Sequence, residues 1–261
     1  MSLSSISIRK AFKNVASENY DKTNIFYYFL LFFVVGLISL FTPDKPNTEN
    51  LPLYGVLMLC SFIFSIIING ICTIASNNAI HRKRGVFPNP FQEIGKIVIT
   101  SLSCILGNIF WSVVMLLITA LVMVPIMFVD KIAAIIVSAI PLLCLATLFI
   151  GAYFNFLISL SLADWFDFKK AWGFMKEAKS FFLSYFVKSL ALGLIVGFLF
   201  IALMIFALPI ANSLKGASSI AASSVIMFFY SIVCVASAVY MVDLTSQFVR
   251  KAKKMNKEIV K

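Results

Sequence analysis

Charge is scarce in this sequence. Asp, Glu, Lys and Arg make up 13% of its 261 residues and hydrophobic residues 61%, where a soluble domain runs at about 25% and about 45–50%. The mean hydropathy is +0.98. A water-soluble fold needs more polar surface than this, and a disordered chain far less apolar content. Histidine occurs once, at His81, and with no second histidine or nearby cysteine a zinc site has no ligand set. There is no Gly-x-x-x-x-Gly-Lys phosphate loop, no Gly-x-Gly-x-x-Gly, no His-Glu-x-x-His and no Gly-x-Ser-x-Gly, which argues against the enzyme classes those motifs serve. No catalytic residue, metal site or cofactor is implied, and the chain reads as a non-enzyme.

What is present is a series of long apolar runs. About 20 residues at about 1.5 Å each cross a bilayer core of about 30 Å. Six runs qualify: Ile25–Phe41, Leu51–Ile80, Ile97–Met123, Lys131–Leu162, Leu183–Pro209 and Ala217–Val249. The chain is therefore expected to be an all-α polytopic membrane protein with six transmembrane helices. Pro125 lies just past the third run, Pro209 near the end of the fifth, and Pro141 inside the fourth, where it should bend the helix. The first run follows 24 mostly polar residues and lacks a small-residue cleavage site, so no secretory signal peptide is expected. Cys60, Cys72, Cys104, Cys144 and Cys234 all fall inside apolar runs and read as small packing residues.

The net charge of +11 has a direction. Of the 22 cations, 19 lie in the N-terminal segment, the connectors His81–Lys96 and Ala163–Lys188, and the tail from Arg250; Lys45, Lys131 and Lys215 lie in the short alternate connectors. The positive-inside rule makes the 19-cation side cytoplasmic. Both termini are then cytoplasmic, as an even number of spans requires, and the expected location is a bacterial plasma membrane. With the excess flanking spans, the expected partner is anionic lipid headgroups rather than nucleic acid, for which no module is present. A membrane-protein partner or a homo-oligomer is compatible with the same surface.

Three stretches on the basic side carry amphipathic spacing, so two or three interfacial helices are expected there. Ile8, Phe12 and Val15 form one stripe. Phe91, Ile94 and Val98 form a second, with Asn89 as cap and Pro90 in the first turn. Phe168, Trp172, Met175 and Phe182 form a third, with Lys169, Lys170, Lys176 and Glu177 facing away and Asp167 as cap. Arg9-Lys10-Ala11-Phe12 and Lys169-Lys170-Ala171-Trp172 match as basic-basic-Ala-aromatic 160 positions apart, and the Phe91 segment lies near the midpoint. This suggests three tandem units, 1–80, 81–163 and 164–250, with a basic tail 251–261 in a single membrane domain; parallel rather than inverted repeats would result. The same resemblance arises if span flanks are simply basic and aromatic.

Candidate functional residues fall into two groups. Asn69, Thr73, Asn77, Asn108, Asn155 and Asp243 form a candidate polar seam. Asp243 is the one ionisable residue within an apolar run, seven positions before Arg250. It reads either as a proton or cation ligand or as a carboxylate paired with a cation such as Arg250, Lys10 or Arg84. The asparagines read as a solute path or as interhelical hydrogen bonds. Arg9, Lys10, Arg82, Lys83, Arg84, Lys169 and Lys170 are candidate contacts for anionic lipid, with topology anchoring as the plainer role. Gly193 and Gly197 form Gly-x-x-x-Gly, which suggests close helix packing inside the protomer or between protomers. Trp111, Trp165 and Trp172 fit interfacial belts or core packing.

Phe166-Asp167-Phe168-Lys169-Lys170-Ala171-Trp172, the Asn77–Arg84 exit from the second run, and the Tyr240–Arg250 end of the last resemble a group of uncharacterised bacterial six-helix integral membrane proteins. The whole-chain layout is similar to the membrane domain fused to some glycerophosphoryl diester phosphodiesterases. The resemblance implies architecture and carries over no catalytic residue, because the phosphodiesterase barrel has no counterpart here. Two functions are expected to compete: an accessory, scaffold or lipid-interacting component, and a small-solute transporter or permease. A midplane cavity lined by Asn69, Asn77, Asn108 or Asn155 would favour the second. An enzyme acting on lipid headgroups would need polar groups clustered around His81 and Asp243.

Overall fold

A computed structural model describes residues 11, 20–41, 51–128, 130–213 and 217–259. The described chain is all-helical: α1 Lys22–Phe41, α2 Leu51–Ile80, α3 Ile94–Met127, α4 Lys131–Ser159, a single 3-10 turn Leu162–Trp165, α5 Phe168–Ser213 and α6 Ala217–Ile259. Six helices are long and apolar enough to cross a membrane, and the chain is a multi-pass membrane protein. The expected stripe around Ile8, Phe12 and Val15, the candidates Arg9 and Lys10, and the Lys45 and Lys215 connectors lie outside the described residues.

The ends of α2 follow the apolar run, bounded by Asn50 and His81. Asp130 stops the chain before α4, and its carboxylate accepts from the backbone N–H of Ile132 and Ala133. At the other end of α4, Leu160 adopts φ 56°, and its N–H closes the helix on the carbonyl of Phe156. α3 continues through Pro125, two residues beyond which it ends, so this span is longer than the hydropathy run.

The two expected interfacial helices that fall among the described residues are not separate elements. The amphipathic stretch from Phe168 is the first part of α5, a 46-residue helix about 69 Å long. No proline interrupts it between Phe168 and Leu183, so the helical ladder runs on into the apolar span. Ahead of α3, Asn89 caps only a turn: its side chain accepts from the N–H of Phe91 and Gln92. The stripe on α5 also differs from the expected one. Ala171, Phe174, Met175 and Ala178 are buried, whereas Phe168 and Trp172 are exposed. The packed face lies about one position away because Gly151 of α4 admits the α5 backbone directly against it, at Ala171.

The core gathers toward one end of the bundle, the end carrying Ile80, Ser159 and Phe168. Every buried residue of α2 lies from Gly70 onward. Tyr28, Ile71, Ile74, Phe87, Val239 and Val242 join α1, α2, α6 and the α2–α3 connector. Phe154, Leu157, Phe174 and Phe248 join α4, α5 and α6. Trp111, Phe156 and Trp165 join α3, α4 and the 3-10 turn. Close approach depends on Gly70, where a Cβ would strike the Ile97 backbone, and on Gly107 and Gly151. Gly193 and Gly197 play no such part: a Cβ on either meets nothing within 4 Å. The expected glycine packing within the protomer is therefore absent at that pair and present at three others. The spacing carries no information on which face of α5 meets a neighbour within the protomer.

Candidate functional site at the basic end

Three helix ends meet where the exposed cations lie. The Asn77 side chain of α2 donates from Nδ2 to the carbonyls of Leu157 (2.9 Å) and Ile158 (2.8 Å), which the end of α4 leaves without helical donors. Asn78 donates to the Val86 carbonyl and Asn24 of α1 to the Phe87 carbonyl, so two asparagines hold the α2–α3 connector. That connector puts Phe87 in the core at 0% exposure. His81 Nδ1 meets the Asn77 carbonyl at 2.9 Å.

Asp243 is buried on α6. Tyr20 donates its phenol to Oδ1 (3.3 Å), and Gln247 donates its amide to Oδ2 (2.7 Å). Burial, reinforced by the neighbouring Asp243 carboxylate, raises the Tyr20 phenol well above its ordinary range, so Tyr20 stays a donor. Arg250 does not bond Asp243 directly among the hydrogen bonds described; it donates to the Ala79 carbonyl and to Ser246 Oγ, both at 3.0 Å. A carboxylate with two donors and a nearby guanidinium is a satisfied buried group.

The other seam residues divide. The side chains of Thr73, Asn108 and Asn69 surround the Cys104 thiol, bringing α2 and α3 together; Asn108 Nδ2 also donates to the Cys104 carbonyl at 2.8 Å. Asn155 Nδ2 is buried without a hydrogen-bond partner among the described residues. Asn77 belongs with the α4 end rather than with this cluster. Three lateral grooves are described, and none is lined by Asn69, Asn77, Asn108 or Asn155.

The lipid-contact candidates divide too. Arg82, Lys83 and Arg84 are exposed and form no ion pair with a described residue. Lys169 is likewise exposed and without an ion pair among the described residues. Lys170 is engaged: it bridges Asp164 (2.9 Å) and Asp167 (3.5 Å). Asp164, buried and also bonded by Ser159 Oγ, thus ties the α4 exit to the α5 start. Asp167 accepts from the Lys170 N–H at 2.9 Å. That bond, ahead of the Lys170 charge, holds the Asp167 carboxyl below the usual range.

Of the three tryptophans, Trp111 and Trp165 are fully buried and only Trp172 is exposed. Sequence reasoning missed Tyr20, Asn24, Asp164 and Gln247. Each is a polar residue at a span boundary, where hydropathy alone cannot separate a solvated flank from a buried bond. No family model matches the chain, and neither does any curated protein or solved structure.

Proposed function

We propose that the protein is a non-enzymatic accessory or scaffold component of a bacterial plasma membrane that engages anionic lipid at its cytoplasmic face, alone or beside a second membrane protein. Both termini and the basic end are cytoplasmic in this reading. The likeness in layout to the membrane domain of glycerophosphoryl diester phosphodiesterases is part of the same proposal.

One observation carries it. At the basic end Asn77, Asn78 and Asn24 hold the α4 end and the α2–α3 connector, while Arg82, Lys83, Arg84 and Lys169 stand outside without ion pairs among the described residues. Cations beside a span attract anionic headgroups at about 1 kcal/mol each. A solute path through the asparagines has less support, because Asn77 and Asn108 already donate to backbone carbonyls.

Two measurements test the reading. Single cysteines replacing Lys83 and Lys131 are labelled with an impermeant reagent in intact cells and in inverted vesicles. Labelling of the Lys83 position only in inverted vesicles supports the orientation; the reverse pattern overturns it. Quantifying lipid that co-purifies with the wild type and with Arg82→Gln/Lys83→Gln/Arg84→Gln tests the lipid role. Loss of anionic enrichment in the variant supports it, and no enrichment in either protein ends it.

A further inference from the structure

A groove of about 580 Å³ runs between α4 and α5. Thr147 of α4 borders it, Trp172, Met175 and Phe182 of α5 wall it, and Lys176 and Lys179 stand on its edge. Met175 is buried, so the groove has an apolar floor, whereas Trp172 is 58% exposed and opens onto the surroundings. The two lysines are exposed and form no ion pair with a described residue. Three positions apart on one helix, they project from the same face. Glu177 is offset by about 100° on that helix and does not line the groove.

The other two grooves lack this character. One is lined by residues such as Tyr27, Leu31, Phe64 and Phe91, the other by residues such as Phe29 and Val235, and neither has a cation in its lining. An apolar trench with two ammonium groups at its edge suits an amphiphile that is anionic where it is polar. We propose that this groove seats one anionic diacyl phospholipid. Its phosphate meets Lys176 and Lys179, with Trp172 on the headgroup side, and one acyl chain runs inward past Phe182 toward the apolar span. A zwitterionic lipid carries its own cation to the same place and loses that advantage. The proposal rests on the lipid-engaging reading above and narrows it to one site and one lipid class.

The variant Trp172→Phe/Phe182→Trp provides the probe, because bromine on an acyl chain quenches an indole it touches. The full-length protein is placed in nanodiscs of phosphatidylcholine containing increasing fractions of brominated phosphatidylglycerol or brominated phosphatidylcholine. Subtracting the signal of Trp172→Phe isolates the indole at position 182. Half-maximal quenching should need a mole fraction of the anionic lipid at least about fivefold lower, the worth of a single cation near an anionic surface. Lys176→Gln/Lys179→Gln should abolish the difference. Arg82→Gln/Lys83→Gln/Arg84→Gln should keep it. Equal quenching by the two lipids, or an unchanged preference in the lysine variant, overturns the proposal. Total co-purified lipid separates the two ideas: if anionic enrichment persists without a groove preference, the site is wrong and the lipid-engaging role stands. If both are absent, both fall.

Discussion

The indole of Trp165 rests on the bare Cα of Gly107. A Cβ at residue 107 would collide with Cγ, Cδ2 and Cε2 of that ring, and the Trp165 carbonyl accepts from Trp111 Nε1 at 3.0 Å. The α4–α5 connector is thereby pinned into the core, with Phe149 and Phe156 on the same ring. Gly107→Ala should destabilise the protein by about 1–3 kcal/mol, the usual cost of overpacking. Gly193→Ala and Gly197→Ala, which meet open space, should leave stability unlowered. Thermal unfolding in one detergent measures all three, and equal melting temperatures would remove the Trp165 pin.

The Asn77 side chain is the donor in both of its described hydrogen bonds. Asn77→Ala deletes two hydrogen bonds and leaves two carbonyls facing an apolar gap. Asn77→Asp places an acceptor against two acceptors and should be the worse variant, at about 3 kcal/mol or more against about 1–3 for alanine. Chemical denaturation gives the order, and aspartate at least as stable as alanine would refute the donor role.

Asp243 is held by Tyr20 and Gln247, so removing the acceptor should cost more than removing one donor. Asp243→Ala should lose about 2–4 kcal/mol and Tyr20→Phe about 1. Asp243→Asn, which still accepts, should fall between them. Growth and solute uptake in cells carrying Asp243→Asn should match wild type once expression is equalised. A specific uptake defect in a well-folded Asp243→Asn protein would restore the ion-ligand reading.

The acid limit of stability has a local contributor in Asp167. Its carboxyl is held below its ordinary range in the fold, first by the Lys170 N–H. A depressed carboxylate stabilises above its unfolded pKa of about 4, and the contribution fades as pH falls from there through the lower folded pKa. Asp167→Asn keeps an acceptor for the cap but cannot titrate. Its stability should therefore decline less steeply than wild type below pH about 4, a comparison made from melting temperatures across that range.

The spans were legible because lipid and protein interior both demand apolar side chains, and α2 ends where Asn50 and His81 bound the run. The caps at Asn89, Asp130 and Asp167 follow from local chemistry, and the first and last of these were readable as such. The merger of Phe168–Leu183 into α5 was not, since an amphipathic stretch has the same spacing whether it lies alone or continues into a span. Trp165 illustrates the other limit. Tryptophan beside a span suits the headgroup region, and only Gly107, 58 positions earlier in the chain, makes an inward pocket for it. At the candidate site, the exposed Arg82–Arg84 run was visible from charge, whereas the engagement of Lys170 by Asp164 depended on how the connector folds.

The Arg250 bond to the Ala79 carbonyl joins residues 171 positions apart. During synthesis the exit of α2 emerges long before its last partner does. Until Arg250 leaves the ribosome, the Ala79 carbonyl lacks that donor, and Tyr20 lacks its Asp243 acceptor. Insertion of the early helices is thus not their completion. A chain halted before residue 243 should be cut by trypsin at the exposed Arg82–Arg84 run faster than the full-length chain, in which Arg250 holds the α2 exit.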